Sequence, residues 1–210
     1  MKVTAIFFDV GNVLVEVCYG QLISTLKTDS AINSRAVDRL VDEDELIIRY
    51  RLGRISSESF FTAAKKMLGF NGSLQEMEKL WCGIFKPIEE NLACVKNLSR
   101  RFPLGLISNT NQSHCSYLES HYDVFDYFDC KIYSHLEGLM KPDPKIYELA
   151  LERMNVSAKE ALFIDDELDN IKTAESLGFN SIHLEDPSAL PERLKQVLGF
   201  SVRNRAKSSE

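Results

Sequence analysis

Apolar residues occur in two arrangements along this chain of 210 residues. In the first they run almost unbroken and stop at a polar residue: Val3–Phe8 stops at Asp9, Leu104–Ile107 at Ser108, and Ala161–Ile164 at Asp165-Asp166. A strand covered by helices on both faces needs such a run, because neither side of it meets water. In the second they recur every three or four positions, as in Val37, Leu40 and Val41, then Leu46, Ile47 and Tyr50, then Phe60, Phe61, Ala64, Met67 and Leu68. That is the spacing of one helical face. From about Val17 to Pro87 only the helical spacing appears, with Leu74, Met77, Leu80 and Trp81 in a last helix that Ser73 opens and Pro87 ends. Beyond Pro87 helix and strand alternate: a helix over Glu89–Arg101, the strand ending at Ser108, a helix through Leu118, and a strand over Cys130–Tyr133. A helix with Ile146, Tyr147 and Ala150, the strand ending at Asp165, a strand over Phe179–His183 and a helix over Ala189–Leu198 complete the series. Alternation of this kind predicts an α/β fold built on a parallel sheet, interrupted after its first strand by an all-helical insert.

Local signals refine the boundaries. Gly53 reads as a helix stop, Ser56-Ser57 before Glu58 as a helix start, and Gly69 with Asn71-Gly72 as a further break. In Lys141-Pro142-Asp143-Pro144, Pro142 favours an extended Lys141, while Asp143 as N-cap and Pro144 as first residue start the next helix. Lys141 is thereby held beside a helix start.

Composition narrows the functional classes. With 44% hydrophobic and 27% charged residues the chain can bury a sizeable core. A net charge of −6 and a pI near 5.4 disfavour a nucleic-acid surface, while leaving room for a small anion held by local cations. No apolar run reaches the eighteen or so residues of a membrane span, and no charged and apolar leader precedes the first strand, so no membrane partner and a cytoplasmic location are expected. Cys18, Cys82, Cys94, Cys115 and Cys130 are scattered and odd in number, as reduced thiols would be.

The candidate chemistry lies at the strand ends: Asp9, Ser108 with Asn109, and Asp165 with Asp166, joined by Lys141 on its loop. Ligands of open parallel sheets bind beyond the carboxyl ends of the strands. Adjacent carboxylates there are costly without a cation, and oxygen ligands suit Mg²⁺ rather than zinc. A hydroxyl, an amide and main-chain N–H groups at a helix start, together with a lysine, make a cradle for phosphate.

These stretches resemble the motifs of the haloacid dehalogenase superfamily of phosphohydrolases over nearly the whole chain. Phe8-Asp9-Val10-Gly11-Asn12-Val13 is similar to the first motif, Ser108 after its strand to the second, Lys141 in Lys-Pro-Asp-Pro to the third, and Phe163-Ile164-Asp165-Asp166 with Asp169-Asn170 to the fourth. The resemblance implies a Rossmann-like parallel sheet flanked by helices, with a small all-helical cap inserted after the first strand. Residues 1–16 and 88–200 would form the catalytic core domain, 17–87 the cap domain and 201–210 a polar tail. Arg51-Leu52-Gly53-Arg54-Ile55-Ser56 with Phe60 is similar to a turn of such caps, and Arg49, Arg51, Arg54 and Trp81 are candidates to face the site. The resemblance further implies that Asp9 is the nucleophile and forms an aspartyl phosphate, and that Asp9, the Gly11 carbonyl and Asp166 hold Mg²⁺. Ser108, Asn109 and Lys141 would bind the phosphoryl oxygens, with Asp165 and Asn170 supporting the site from behind.

One departure is informative. Most phosphatases of the superfamily carry a second Asp two positions after the nucleophile, as acid and base; here that position is Gly11. Its loss favours leaving groups that need little protonation, and Asp-x-Gly-Asn-Val resembles a subgroup that includes α-glucose-1-phosphate phosphatases. The expected function is therefore Mg²⁺-dependent hydrolysis of a small phosphorylated metabolite such as glucose 1-phosphate, by a monomer or homodimer. A 2-haloacid dehalogenase, which lacks the second Asp but uses no metal, and a non-catalytic phosphate-binding scaffold stay open as alternatives. A phosphomutase is disfavoured, because it needs the missing acid.

Overall fold

A computed structural model describes residues 2–27, 34–41, 45–200 and 202. The first strand, β1 (Ala5–Phe8), occupies the centre of a five-stranded sheet with β4 (Leu104–Ser108), β5 (Cys130–Tyr133), β6 (Ala161–Asp165) and β7 (Asn180–His183), in the order β5-β4-β1-β6-β7. Every pairing is parallel, as the unbroken apolar runs predict. Alternate side chains of β1 go to opposite faces. Ile6 and Phe8 enter the cluster formed with α6 (Glu89–Leu98) and α11 (Leu190–Leu198), whereas Ala5 and Phe7 enter the one formed with α9 (Pro144–Met154) and α10 (Leu168–Ser176). Gly105 of β4 sits where Phe7 crosses the sheet: a Cβ there would lie 2.4 Å from the Phe7 ring. Two further helices, α7 (Gln112–His121) and the short α8 (Ser134–Glu137), leave the ends of β4 and β5.

Between β1 and α6 the chain builds a separate structure. The helices α1 (Tyr19–Lys27), α2 (Ser34–Val41), α3 (Glu45–Arg51), α4 (Ser57–Leu68) and α5 (Leu74–Cys82) bury an apolar cluster of their own around Phe60, Phe61, Met77 and Trp81. The expected caps are in place. Ser56 accepts from Ser59 N–H, Gly69 ends α4 with φ 75°, and Ser73 with Glu76 forms a capping box. Asp143 accepts from Lys145 N–H ahead of Pro144 at the start of α9.

Two expectations need correction. The helix opened by Ser73 ends at Cys82, and Phe85–Pro87 is a strand, β3, paired antiparallel with β2 (Val15–Val17). Both segments alternate, with Glu16 and Lys86 outward, so period-2 pairing overrides the helical pattern and closes a ribbon at the root of the insertion. Val202, expected within a polar tail, is buried against the core, where Asn97 Nδ2 donates to its carbonyl at 2.9 Å. The rest of 201–210 lies outside the described residues. None of the five cysteines forms a disulfide, and no helix among the described residues is long and apolar enough to cross a membrane.

Candidate active site

The strand β1 lies where the chain order turns, with β4 and β5 to one side and β6 and β7 to the other, and a crevice opens there beyond the strand ends. Asp9 follows β1 directly, its N–H donating to the Ile164 carbonyl at 2.8 Å. Lys141 reaches in from the loop before α9, 3% exposed, with its Nζ 2.8 Å from Asp9 Oδ1 and 2.6 Å from Asp165 Oδ2. The Asn109 amide fixes that lysine by its main chain: Nδ2 donates to the Lys141 carbonyl at 2.9 Å and Oδ1 accepts from the Lys141 N–H at 2.8 Å. Any contribution of Asn109 to an anion then falls to its main chain. Ser108, buried at the end of β4, lines the crevice beside Asp9.

Asp165 and Asp166 are adjacent but differently employed. Asp165 is fully buried, and both of its oxygens are taken: Oδ1 accepts from Glu167 N–H at 2.8 Å and Asn170 Nδ2 at 3.0 Å, and Oδ2 from Lys141. Asn170 is held in turn by Tyr147, whose hydroxyl donates to its carbonyl at 3.1 Å. Asp166 is half-buried, and its Oδ2 accepts from Asn12 Nδ2 at 2.9 Å. Asn12 has φ 51°, and its Oδ1 accepts from Val17 N–H at 3.2 Å, so one side chain ties β2, the turn after Asp9 and Asp166 together. The sequence reading gave Asn12 no role of its own; the signal was an Asn directly after Gly, a pair that tolerates the left-handed turn.

The charges do not balance. One oxygen from each of Asp9, Asp165 and Asp166 lies within 4.8 Å of the other two, with Lys141 as the cation among them. Burial, reinforced by the charges of Asp165 and Asp166, pushes the Asp9 carboxyl up to about 7 against the opposing pull of Lys141. Burial likewise raises Asp166. Burial works against the Lys141 ammonium, yet Asp9 and Asp165 together hold it above the usual lysine range. A hard divalent cation fits this set: the donors are oxygens, the surplus charge is negative, and Asp165 is already satisfied, which leaves Asp9 and Asp166 as the carboxylates with capacity.

The crevice continues into a cavity of about 510 Å³. The helical insertion contributes Tyr19 and Arg51 to its wall, the ribbon Val17 and Phe85, and α7 His114 and Leu118. Of the four insertion residues named as candidates to face the site, Arg51 does. Arg49 is exposed elsewhere, Arg54 lines a separate groove beside His135, and Trp81 is 1% exposed within the insertion's own core. His114 stacks on Trp81 with ring centroids 5.0 Å apart. Its Nε2 lies 3.1 Å from the Trp81 carbonyl and so carries the proton, while Nδ1 accepts from Asn111 Nδ2 at 3.1 Å. Burial holds this imidazole down to about 3, neutral at ordinary pH.

The family model of the haloacid dehalogenase-like hydrolases matches residues 3–178. Among curated proteins, the chain is 41% identical over 81 residues to the sesquiterpene phosphatase astK of Aspergillus oryzae, covering 39% of this chain and 41% of that protein. It is 33% identical over 110 residues to a phosphorylated carbohydrates phosphatase of Thermotoga maritima, covering 50% of each. These matches span half or less of the relatives' length. A solved HAD family enzyme from Bacteroides thetaiotaomicron, in complex with magnesium and inorganic phosphate, has the same fold at a TM-score of 0.78 and 23% identity, covering 86% of this chain and 93% of that one.

Proposed function

The chain belongs to the haloacid dehalogenase-like hydrolases, and from that membership we propose that it is a Mg²⁺-dependent phosphatase of a small phosphorylated metabolite, working through an aspartyl phosphate on Asp9. The observation that carries this reading is the wedge of Lys141 between Asp9 and Asp165, which engages one oxygen of Asp9 and leaves the other uncommitted to Lys141 on a residue that lines the cavity. That oxygen is the nucleophile. A carboxylate nucleophile divides one difficult displacement into two easier ones. Lys141 holds Asp9 in place and offsets its repulsion from a phosphoryl dianion, while Asp165, Asn170 and Asn109 hold Lys141. Ser108 and the main chain at Asn109 receive phosphoryl oxygens. A divalent ion held by Asp9, Asp166 and the Gly11 carbonyl would supply the positive charge that keeps Asp9 ionised and admits the dianion.

Residues 17–87 then act as a cap on a core formed by 1–16 and 88–200; the separate apolar cluster of the insertion supports that division. A sugar phosphate, with α-glucose 1-phosphate first, is the substrate class, in keeping with the carbohydrate phosphatase among the relatives. The test is phosphate release from 4-nitrophenyl phosphate and from α-glucose 1-phosphate, with Mg²⁺ and with excess chelator. Turnover should require the metal and vanish in Asp9→Asn with the fold intact. Phosphate release that survives chelation would remove the metal from the mechanism, and chloride release from a 2-chloroalkanoate in its place would favour the metal-free dehalogenase reading.

A further inference from the structure

We propose that the leaving group departs from this site as an anion, with no proton from the protein, and that Arg51 compensates its charge; this rests on the phosphatase reading above. Three observations carry it. Position 11 has no side chain, and the space a side chain would enter is crowded: a Cβ on Gly11 would lie 3.2 Å from Val17 Cγ2, tighter than most such contacts, so Val17 would have to give by a few tenths of an ångström. The ribbon of β2 and β3 fixes Val17 there, pairing it with Phe85 while Asn12 accepts its N–H. Where the wider family has its acid, this chain therefore sets a glycine against the Val17 methyl.

His114 is the imidazole on the cavity wall, and it has no proton to give. Its Nε2–H is committed to the Trp81 carbonyl and its Nδ1 to the Asn111 amide, on a ring 6% exposed. Arg51, at the end of α3, is the cation that the insertion adds to the cavity lining among the described residues. A guanidinium stays protonated through any accessible pH, so it stabilises a departing oxyanion by charge and hydrogen bonding without serving as an acid.

The step balances without a proton transfer. Asp9 forms a bond to phosphorus, the bond from phosphorus to the leaving oxygen breaks, and its electron pair remains on that oxygen. Water then attacks the aspartyl phosphate, and both of its protons leave on the released phosphate as Asp9 is regenerated. The substrate class is thereby narrowed to phosphates of weakly basic oxygens: anomeric, enol, acyl or anhydride phosphates, in preference to simple alkyl esters.

The test is a series of aryl phosphates from 4-nitrophenyl to phenyl, with a primary alkyl phosphate, in single turnover at fixed pH and saturating Mg²⁺. Wild type should slow by roughly 10²-fold or more from 4-nitrophenyl to phenyl phosphate, as an unassisted leaving group requires. Arg51→Ala should lose more with each more basic leaving group, and Arg51→Lys should recover part of the difference. Gly11→Asp combined with Val17→Ala, which clears the space, should flatten the dependence. A flat wild-type series overturns the proposal, and if Tyr19→Phe makes it steep, the proton comes from that phenol. A uniform Arg51→Ala loss across the series removes Arg51 from the departure step. Absence of all metal-dependent turnover, by contrast, would overturn the phosphatase reading itself.

Discussion

At the carboxyl end of the sheet, Asp9, Asp165 and Asp166 crowd around Lys141. At the seam between the insertion and α7 the buried polar groups Tyr50, Ser113 and His114 carry no charge and find partners within the protein, the half-buried carboxylate of Glu78 among them. There the Tyr50 hydroxyl lies 2.8 Å from Ser57 Oγ and 2.7 Å from Ser113 Oγ, Ser113 donates to Glu78 at 2.7 Å, and His114 bridges Trp81 and Asn111. Both regions are buried and polar, so both could have been costly. The seam meets most of its hydrogen bonds within the protein, the Trp81 Nε1 being buried without a partner, and joins two apolar clusters. The strand ends keep a surplus of negative charge that a cation from outside would offset. On the proposed function, stability is traded for chemistry at the first region and not at the second.

Lys141 gives the sharpest test of that contrast. Lys141→Met would strand two buried carboxylates, and removing one partner of a buried pair costs about 3–5 kcal/mol. Urea unfolding should show a loss of that order, and kcat/KM should fall by at least about 10²-fold if enough protein folds to assay. A mutant as stable as the parent would mean that the carboxylates are solvated and that the two regions do not differ.

Asp9→Asn should act in the opposite direction on stability while abolishing turnover. The raised Asp9 pKa already includes the pull of Lys141, so the ionised carboxylate is a net burden on the folded state. Because its folded value, about 7, lies above the ordinary carboxyl value of 3.8, its favourable contribution is complete below the latter and lost as pH rises through the former. At pH 8 without metal, Asn should therefore raise stability by on the order of 1–3 kcal/mol, read from the urea midpoint. The gain should shrink when Mg²⁺ is added, since the ion offsets the same charge. A destabilised metal-free Asp9→Asn protein would remove the functional explanation for the buried charge.

How far this contrast could be read beforehand depends on the range of the interactions. Asp9, Ser108 and Asp165-Asp166 were legible because each ends an apolar run, and the parallel sheet makes strand ends converge whatever the loops do. Lys141 was legible from the Pro-Asp-Pro that follows it. The Asn109 clamp, the tie from Asn12 to Asp166 and the burial of Val202 were not, since each joins residues 32, 154 or 105 positions apart through one side chain. The β2–β3 ribbon escaped notice because strands of three residues carry too little pattern to compete with a helical stretch beside them. At the seam, both Trp81 and Arg51 were candidates for the site, although the helical spacing of Trp81 already favoured core packing. Only the packing sends one into the insertion's core and the other to the cavity wall.

The pH dependence of the seam should run against that of the strand ends. His114 is held down to about 3 from 6.5 by burial, so its contribution to stability is present above the unfolded value and lost as pH falls toward the folded one. His114→Gln keeps a donor and an acceptor but no titrating group. Between pH 7.5 and 5 the mutant should lose roughly 2 kcal/mol less stability than wild type, measured by urea unfolding at each pH. Equal losses would place the imidazole in contact with water and dissolve the distinction drawn for the seam.

The smallest expected effect is at Tyr50, where the argument turns on satisfaction rather than charge. Its hydroxyl is shared by Ser57, Ser113 Oγ and the Ser113 N–H at 3.2 Å, with the ring 2% exposed and stacked on Phe60 at 4.3 Å. Tyr50→Phe keeps the stacking and removes the oxygen, so the cost should be about 1–3 kcal/mol, that of leaving buried partners unmet. Ser113→Ala should cost a similar amount, and the double mutant less than the sum, because both singles break the same bonds. Turnover of 4-nitrophenyl phosphate should stay within a few-fold, since neither side chain lines the cavity. If Tyr50→Phe instead lowers kcat severely while the urea midpoint barely moves, the seam is part of the catalytic cycle, with its hydrogen bonds made and broken as the insertion moves over Asp9.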